Sequence, residues 1–448
     1  MTAATALRNA PDTLRRGACP SIAAPMRTGD GLLVRLRPVA PALSAADLLA
    51  LADLARRHGN GLIEITARGN LQLRGLTEAG MPQLAEGLRK AGIVPQTGVA
   101  VEIPPLSGID PSETADAAPL AATLRTTLAA AALPLAPKLA IVVDGGGVLA
   151  LADMVADIRL DAVSTAGGVR WRLSIGGDRL TAKPVALLLP EETVNGVMTL
   201  AAALAAQGPT ARGRDLDAAA LAITFAATPA PALAGLARRH PLGAHRIGDR
   251  TVLGIAPAYG QMQAERLAAL AEGLSACGAT AFRLAPHRTL LVCGLSDDAL
   301  ISAQACADRE GFWYREDAPG RTVSICAGAA GCASGAFDTR AAADTLANEA
   351  GALLDGSVAV HISGCPKGCA HPAAAALTLC GTAAGVGLVL NGRASDTPAA
   401  TLPAAGLTPA IGRLAALLRA RRTEGETAKN LFDRIPPAEL VSAYQGRS

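Results

Sequence analysis

Laid over itself with Gly29-Asp30 against Gly248-Asp249, an offset of 219 residues, the chain keeps one register without a gap as far as Gly75-Leu76 against Gly294-Leu295. Pro38 falls on Pro257, Leu48 on Leu267, Leu51 and Ala52 on Leu270 and Ala271, Gly59 on Gly278, and Leu71 on Leu290. Chance rarely holds a register that long, so the fold must be one that a unit of half this length can build twice. Further along, LAIVVDGG (139–146) lies over VAVHISGC (358–365) at the same offset, so a second unit is duplicated as well.

Each copy opens with a strand-like stretch (GLLVRLRP; TVLGIAP), continues with apolar residues at helical spacing (LLALADLARRHG; LAALAEGLSACG) and returns to a strand before another helix. This order predicts an α+β architecture with pseudo-twofold symmetry and a site between the copies. In LLVRLRP, alternation sends Arg35 and Arg37 to one face and the leucines and valine to the other. Read as one further strand, IEITARGNLQLRGL puts Glu64, Thr66 and Arg68 on one face, continued by Asn70, Gln72 and Arg74. Such a face is either solvated surface or the lining for a polyanionic ligand, since arginine pairs bidentately with carboxylates. Lys138, just before a strand, adds a cation, and His287 and Arg288 occupy the places of Arg68 and Gly69 in the second copy. Alanine- and proline-rich stretches at 112–137 and 205–240 read as loops or linkers.

Of nine cysteines, Cys19, Cys277, Cys293, Cys306 and Cys380 are scattered among apolar or small neighbours and read as small buried hydrophobes. The other four cluster. Cys326 and Cys332 form C-x5-C, Cys365 and Cys369 form C-x3-C, and small residues and Pro366 surround them. Four thiolates suit a 4Fe-4S cluster; a zinc site with four cysteine ligands is the alternative, although structural zinc favours two- to four-residue spacings in both pairs. At the matching positions the first copy carries Ser107, Glu113 and Gly146, so only the second copy can hold the metal.

The formal charge of +3, with no run of five basic residues, excludes a nucleic-acid binder on electrostatic grounds. Charged, proline or glycine residues interrupt every apolar stretch short of a membrane span, and MTAATALRNAPDTLRRG lacks the apolar core of a secretory signal. The expectation is a cytoplasmic protein without a membrane or nucleic-acid partner. No G-x-G-x-x-G follows a strand, so the sequence does not reveal the electron donor and a separate reductase partner is the expectation.

These residues resemble the nitrite and sulfite reductase superfamily. The C-x5-C and C-x3-C pair, the GCPxGC context, the T-x-R-x-x-x-Q run at Thr66, Arg68 and Gln72, and Lys138 all follow its pattern. The resemblance implies duplicated ferredoxin-like units plus duplicated cluster domains, divided here as 17–95, 96–235, 236–314 and 315–430, with the 4Fe-4S cluster in the last. Through GACPSIAAPMRTGDGLLVRLRP (17–38) the chain looks most like the branch of precorrin-3B synthases of aerobic cobalamin biosynthesis. That branch implies a monooxygenase acting on precorrin-3A with molecular oxygen and an electron donor, here an NADH-linked reductase, to hydroxylate the ring and form a lactone. Arg35, Arg37, Arg68, Asn70, Gln72, Lys138, His287 and Arg288 are then candidates for the macrocycle carboxylates, and no catalytic residue is assigned. The branch also implies a non-haem iron, for which His361 and His371 are candidates by proximity, against a strand-face and a solvated loop histidine. Where the reductases gather cations around their anion, this chain has Ala140 and the Val101-Glu102 stretch. A siroheme-dependent sulfite or nitrite reductase is the alternative, and a non-catalytic tetrapyrrole-binding iron-sulfur protein a second.

Overall fold

The computed structural model describes residues 20–225, 233 and 239–447, so Cys19 and residues 226–232 and 234–238 lie outside the described residues. Strands β1 (Met26–Thr28) and β2 (Gly31–Leu36) lead into helix α1 (Ala45–His58), followed by β3 (Leu62–Ile65), β4 (Leu71–Leu76) and α2 (Met81–Lys90). A second unit holds β5 (Ala100–Glu102), α3 (Ala118–Ala131), β6 (Ala140–Asp144), β7 (Ala156–Thr165), β8 (Gly168–Gly177), β9 (Lys183–Leu188), α4 (Thr193–Gln207) and α5 (Ala218–Thr224). The series then recurs as β10 (Gly243–Ile247), β11 (Arg250–Pro257), β12 (Gln261–Gln263), α6 (Ala264–Ala276), β13 (Ala281–Ala285), β14 (Thr289–Leu295) and α7 (Leu300–Arg309). The last unit comprises β15 (Phe312–Trp313), β16 (Val323–Ile325), α8 (Gly328–Gly331), α9 (Thr339–Ala350), β17 (Val360–Ser363), β18 (Ala375–Thr382), β19 (Gly385–Gly392), β20 (Ala400–Leu402) and α10 (Leu407–Arg421), closed by α11 (Ala428–Arg434) and α12 (Pro437–Gln445).

Local chemistry starts these elements. Ser44 caps α1 in a reciprocal box with Asp47, and Arg56, Arg57 and His58 sit in its last turn, where the helix dipole favours positive charge. The first alanine-rich stretch read as a loop, 112–137, is more than half helix, since α3 lies within it; of 205–240 only the end of α4 and α5 are α-helical, and 226–232 and 234–238 lie outside the described residues. Alanine is the strongest helix former, and Pro119 enters α3 at its first turn, where a missing N–H costs nothing.

IEITARGNLQLRGL is a hairpin, not one strand. Thr66 N donates to Asn70 O at 2.8 Å, and Gly69 supplies the positive φ (+73°) that closes the turn. Glu64 therefore pairs across the ladder with Gln72, and Arg68 sits at the turn. Leu33 also departs from the alternation expected of a one-sided strand, since it shares the Arg35 face; Leu32, Val34 and Leu36 fill the core.

The two ferredoxin-like units are knitted together by exchange. β12 of the second copy pairs with β3 of the first, Met262 opposite Ile63, while Leu43 of the first copy bridges to Phe282 of the second. The two pairs are related by the sequence offset, Met262 to Leu43 and Phe282 to Ile63, so the strand order is β1-β2-β4-β3-β12 in one sheet and β10-β11-β14-β13 in the other. Helices α1 and α6 pack together in one shared core, where Leu48, Leu51, Leu267 and Leu270 are each at most 1% exposed. Burying each such leucine contributes about 1.5–3 kcal/mol.

The larger units share topology and register as well. The sheets run β5-β6-β7-β8-β9 and β16-β17-β18-β19-β20, and the parallel pair Ile141 to Ile158 recurs as Val360 to Leu377. Their interiors differ. Where the second copy has Ser363, Thr378 and Cys380, the first has Asp144, Arg159 and Asp161, all fully buried. Arg159 bonds both carboxylates at 2.8 Å and donates to the carbonyls of Leu151 (3.0 Å) and Met154 (3.2 Å). A charge network thus ties down in the first copy the loop whose counterpart carries cysteines in the second.

Candidate active site

The cysteines sit on two loops at the ends of neighbouring parallel strands. Cys326 follows β16 directly and Cys332 ends the single turn of α8, while Cys365 and Cys369 follow β17. Glycines let these loops close on one another: an added Cβ at Gly335 would come within 2.4 Å of Gly328, one at Gly381 within 2.1 Å of the Gly364 carbonyl, and one at Gly29 within 2.5 Å of Cys332 Sγ. Gly364 N–H donates to Cys326 Sγ at 3.1 Å, and Thr339 Oγ1 donates to the Cys326 carbonyl at 2.7 Å. Burial pushes the Cys326 and Cys365 thiols up, and the neighbouring cysteines add to this.

All four cysteines line one cleft of about 840 Å³, and its opposite wall is the polar face of the first ferredoxin-like sheet. Glu64 is the hub of that wall. It accepts from Gln72 and from Gln261 Nε2 (2.9 Å) and lies 3.5 Å from Arg74, which is also bonded to Asp30 at 3.0 Å. Burial opposes the Arg74 charge, but Glu64 and Asp30 hold its pKa above the usual arginine range. Arg35 donates to Gln72 Oε1 at 3.1 Å, and with Lys138, Arg27, Lys367 and Arg393 the charged groups of the lining are mostly cationic.

Arg288 reaches the cleft from a strained turn. His287 and Arg288 have φ of 59° and 64°, values that a type I′ hairpin demands and that Asn-Gly normally supplies. Burial lowers the Arg288 pKa, with Glu64 acting against it. The structure divides the residues expected from sequence between two places. Arg35, Gln72, Lys138 and Arg288 line the main cleft, whereas Arg37, Arg68 and Asn70 line a second cavity of about 290 Å³ together with Glu102 and Arg125. There Arg37 pairs with Glu102 at 2.5 Å and with Asn70 Oδ1 at 2.7 Å, and Arg68 donates to the Val155 carbonyl at 3.1 Å. Burial raises the Glu102 pKa against the pull of Arg37, Arg68 and Arg125. His287 turns away from the cleft, 3.5 Å from Asp153 and beside His240, with ring centroids 4.9 Å apart and planes tilted by 42°.

A curated precorrin-3B synthase from Sinorhizobium sp. is 44% identical to this chain over 437 residues, spanning 97% of this chain and 95% of the relative. The chain belongs to the precorrin-3B synthase family. It is thus an oxidoreductase of cobalamin biosynthesis. The nitrite/sulfite reductase ferredoxin-like half domain matches residues 24–91. A ferredoxin–nitrite reductase from Synechococcus elongatus is 25% identical over 78% of this chain and 76% of its own length. The structure of the Mycobacterium tuberculosis NirA protein shares the fold, with a TM-score of 0.66, 22% identity, and coverage of 91% of this chain and 84% of that one. Among the described residues no helix is long and apolar enough to cross a membrane.

Within this precorrin-3B synthase family chain, the donor set fits a 4Fe-4S cluster. Among the described residues no three His, Cys, Asp or Glu side chains converge as one metal ion would need. A cubane takes one thiolate per iron and holds its cysteines farther apart than a tetrahedral ion does. His361 and His371, the candidates for a non-haem iron, belong to no such group of three among the described residues. His361 is fully buried in β17, neither ring nitrogen has a partner, and burial followed by His371 pushes its pKa down to about 4. The His371 ring, 5.7 Å away, lines the cleft. Of the scattered cysteines, Cys293, Cys306 and Cys380 are buried and Cys277 partly so. Sequence reasoning missed Tyr259 and Gln261 in the cleft wall, because their offset counterparts are Ala40 and Ala42 and only the strand exchange brings them there.

Proposed function

We propose that the cleft binds precorrin-3A, and that the enzyme uses dioxygen and electrons from an NADH-linked reductase to hydroxylate the ring and close the lactone of precorrin-3B. One observation carries the reading: four cysteines and a cationic sheet face line the same cleft, whose volume of about 840 Å³ lies toward the upper end for ligand sites. Cys326, Cys332, Cys365 and Cys369 would hold a 4Fe-4S cluster, which supplies electrons one at a time when bound. The remaining roles belong to the chain itself. Arg35, Lys138 and Arg288 receive carboxylate arms of the macrocycle, with Gln72 oriented for hydrogen bonding by Glu64 and Arg35. Arg37, Arg68 and Asn70 serve an arm that reaches the second cavity. Gly364 N–H, directed at a ligand sulfur, stabilises thiolate charge. No step is assigned to His361 or His371.

Anaerobically purified protein should show a featureless brown cluster spectrum; siroheme bands would overturn the reading. Aerobic incubation with precorrin-3A and a reductant, under isotopically labelled dioxygen, should give a product heavier by labelled oxygen. Unchanged macrocycle with an intact cluster would favour a non-catalytic binder.

A further inference from the structure

The chain has only two tryptophans and three tyrosines, yet one of each meets beside the cleft. Tyr259 lines the cleft and lies edge-on to Trp313, with ring centroids 5.1 Å apart at 83°. Its φ of 59° is a left-handed value that a bulky residue adopts only when its surroundings impose it. Those surroundings are specific. The phenol donates to Asp344 Oδ1 at 2.8 Å, Arg340 lies 5.6 Å above the ring, and an added Cβ at Gly320 would fall 2.5 Å from the indole and 2.8 Å from the phenol ring. Trp313 is half-buried and Asp344 exposed, so both an electron path and a proton path lead outward from the cleft wall. A phenol can be oxidised at neutral pH only if its proton has an acceptor, and Asp344 stands in that position.

We propose that Tyr259 and Trp313 form a one-electron relay that quenches an oxidant left in the cleft when dioxygen is reduced with no macrocycle to accept the oxygen atom. The inference rests on the oxygen chemistry proposed above. Tyr259 gives one electron to the dioxygen-derived one-electron oxidant, its O–H bond breaks, and the proton passes to Asp344. The phenoxyl radical then takes an electron from the Trp313 indole and recovers its proton from Asp344. The indole radical is refilled at the surface by a small thiol or ascorbate-type reductant, which loses one electron.

The test is rapid-freeze electron paramagnetic resonance on the cluster-loaded full chain, reduced and then exposed to dioxygen without macrocycle, while oxygen uptake is followed. A tyrosyl signal is expected that narrows with ring-deuterated tyrosine, persists longer in Trp313→Phe and is lost in Tyr259→Phe. Deuterium labelling of the unaltered chain guards against a misfolded variant. Oxygen uptake with no such signal in Trp313→Phe overturns the relay and leaves the proposed function standing. If no oxygen is taken up, the oxygen chemistry fails, and flash oxidation by a soluble ruthenium polypyridyl complex decides the relay. A flash-generated radical that Tyr259→Phe removes supports it, and no radical overturns it.

Discussion

Replacing Arg159 with alanine is expected to destabilise the protein by about 3–5 kcal/mol, the usual cost of removing one partner from a buried ion pair. Four acceptors lose their donor: the carboxylates of Asp144 and Asp161, both fully buried, and the carbonyls of Leu151 and Met154. Asp161 retains Arg179 at 3.1 Å and Arg172 at 4.0 Å, so Asp144, left with the Gly146 N–H at 3.0 Å and a weaker pull from Arg179, dominates the penalty. Burial already raises the Asp144 pKa and Arg159 is its main counterweight, so the variant's Asp144 titrates higher still. A carboxyl with a folded pKa above its unfolded value holds more protons when folded, so stability falls as pH rises through that window. The deficit should therefore be smaller at about pH 5 than at about pH 8. Thermal and urea unfolding of the full chain would measure it, with a drop in Tm of roughly 2–4 °C per kcal/mol for a unit of this size. Arg159→Met combined with Asp144→Leu should recover most of the loss, since an apolar replacement of a buried pair is close to neutral. A loss below about 1 kcal/mol, or one independent of pH, would refute the claim that this network does in the first copy what the cysteine loops do in the second.

Cys365→Ser should lose the cluster and loosen its unit, because metal-binding energy is folding energy in such sites; full iron content in the purified variant would remove Cys365 from the ligand set. Arg288→Gly should relieve the strained turn and raise stability by about 1 kcal/mol, while weakening macrocycle binding by roughly tenfold or more for a lost charged hydrogen bond. Unchanged affinity in a titration would take Arg288 out of the binding face. Glu113, where the first copy lacks a cysteine, has its pKa pushed up to about 7 by burial, with Asp116 and Asp110 adding to it. A raised folded pKa means lost stability as pH climbs past it, so Glu113→Gln should raise Tm above neutral pH and change little in acid; an equal gain at both would contradict this.

Much of the architecture is legible in one dimension. The offset that aligns Leu48 with Leu267 predicts two equivalent helices, and these pack on each other in a single core. The spacing of Cys326, Cys332, Cys365 and Cys369 names its own chemistry. Alternation over IEITARGNLQLRGL fails at the turn, because period two carries no information about where a strand reverses, and Gly69 was the only local signal. The reversal moves Arg68 from the main cleft to the second cavity. In the same way an alanine-rich tract looks featureless until α3 shows it to be helix.

Sequence alone determined the duplication, the α+β class and the asymmetry that confines the four clustered cysteines to one copy, since each rests on residue identity and spacing along the chain. Only the tertiary structure decided which residues face those cysteines. Gln261 meets Glu64 from 197 positions away, and Tyr259 and Arg288 enter the cleft wall, because the copies exchange strands about their pseudo-twofold axis. The physical reason is that hydrogen-bond register between distant strands is chosen by the shared core they bury, and no local stretch of sequence encodes that choice.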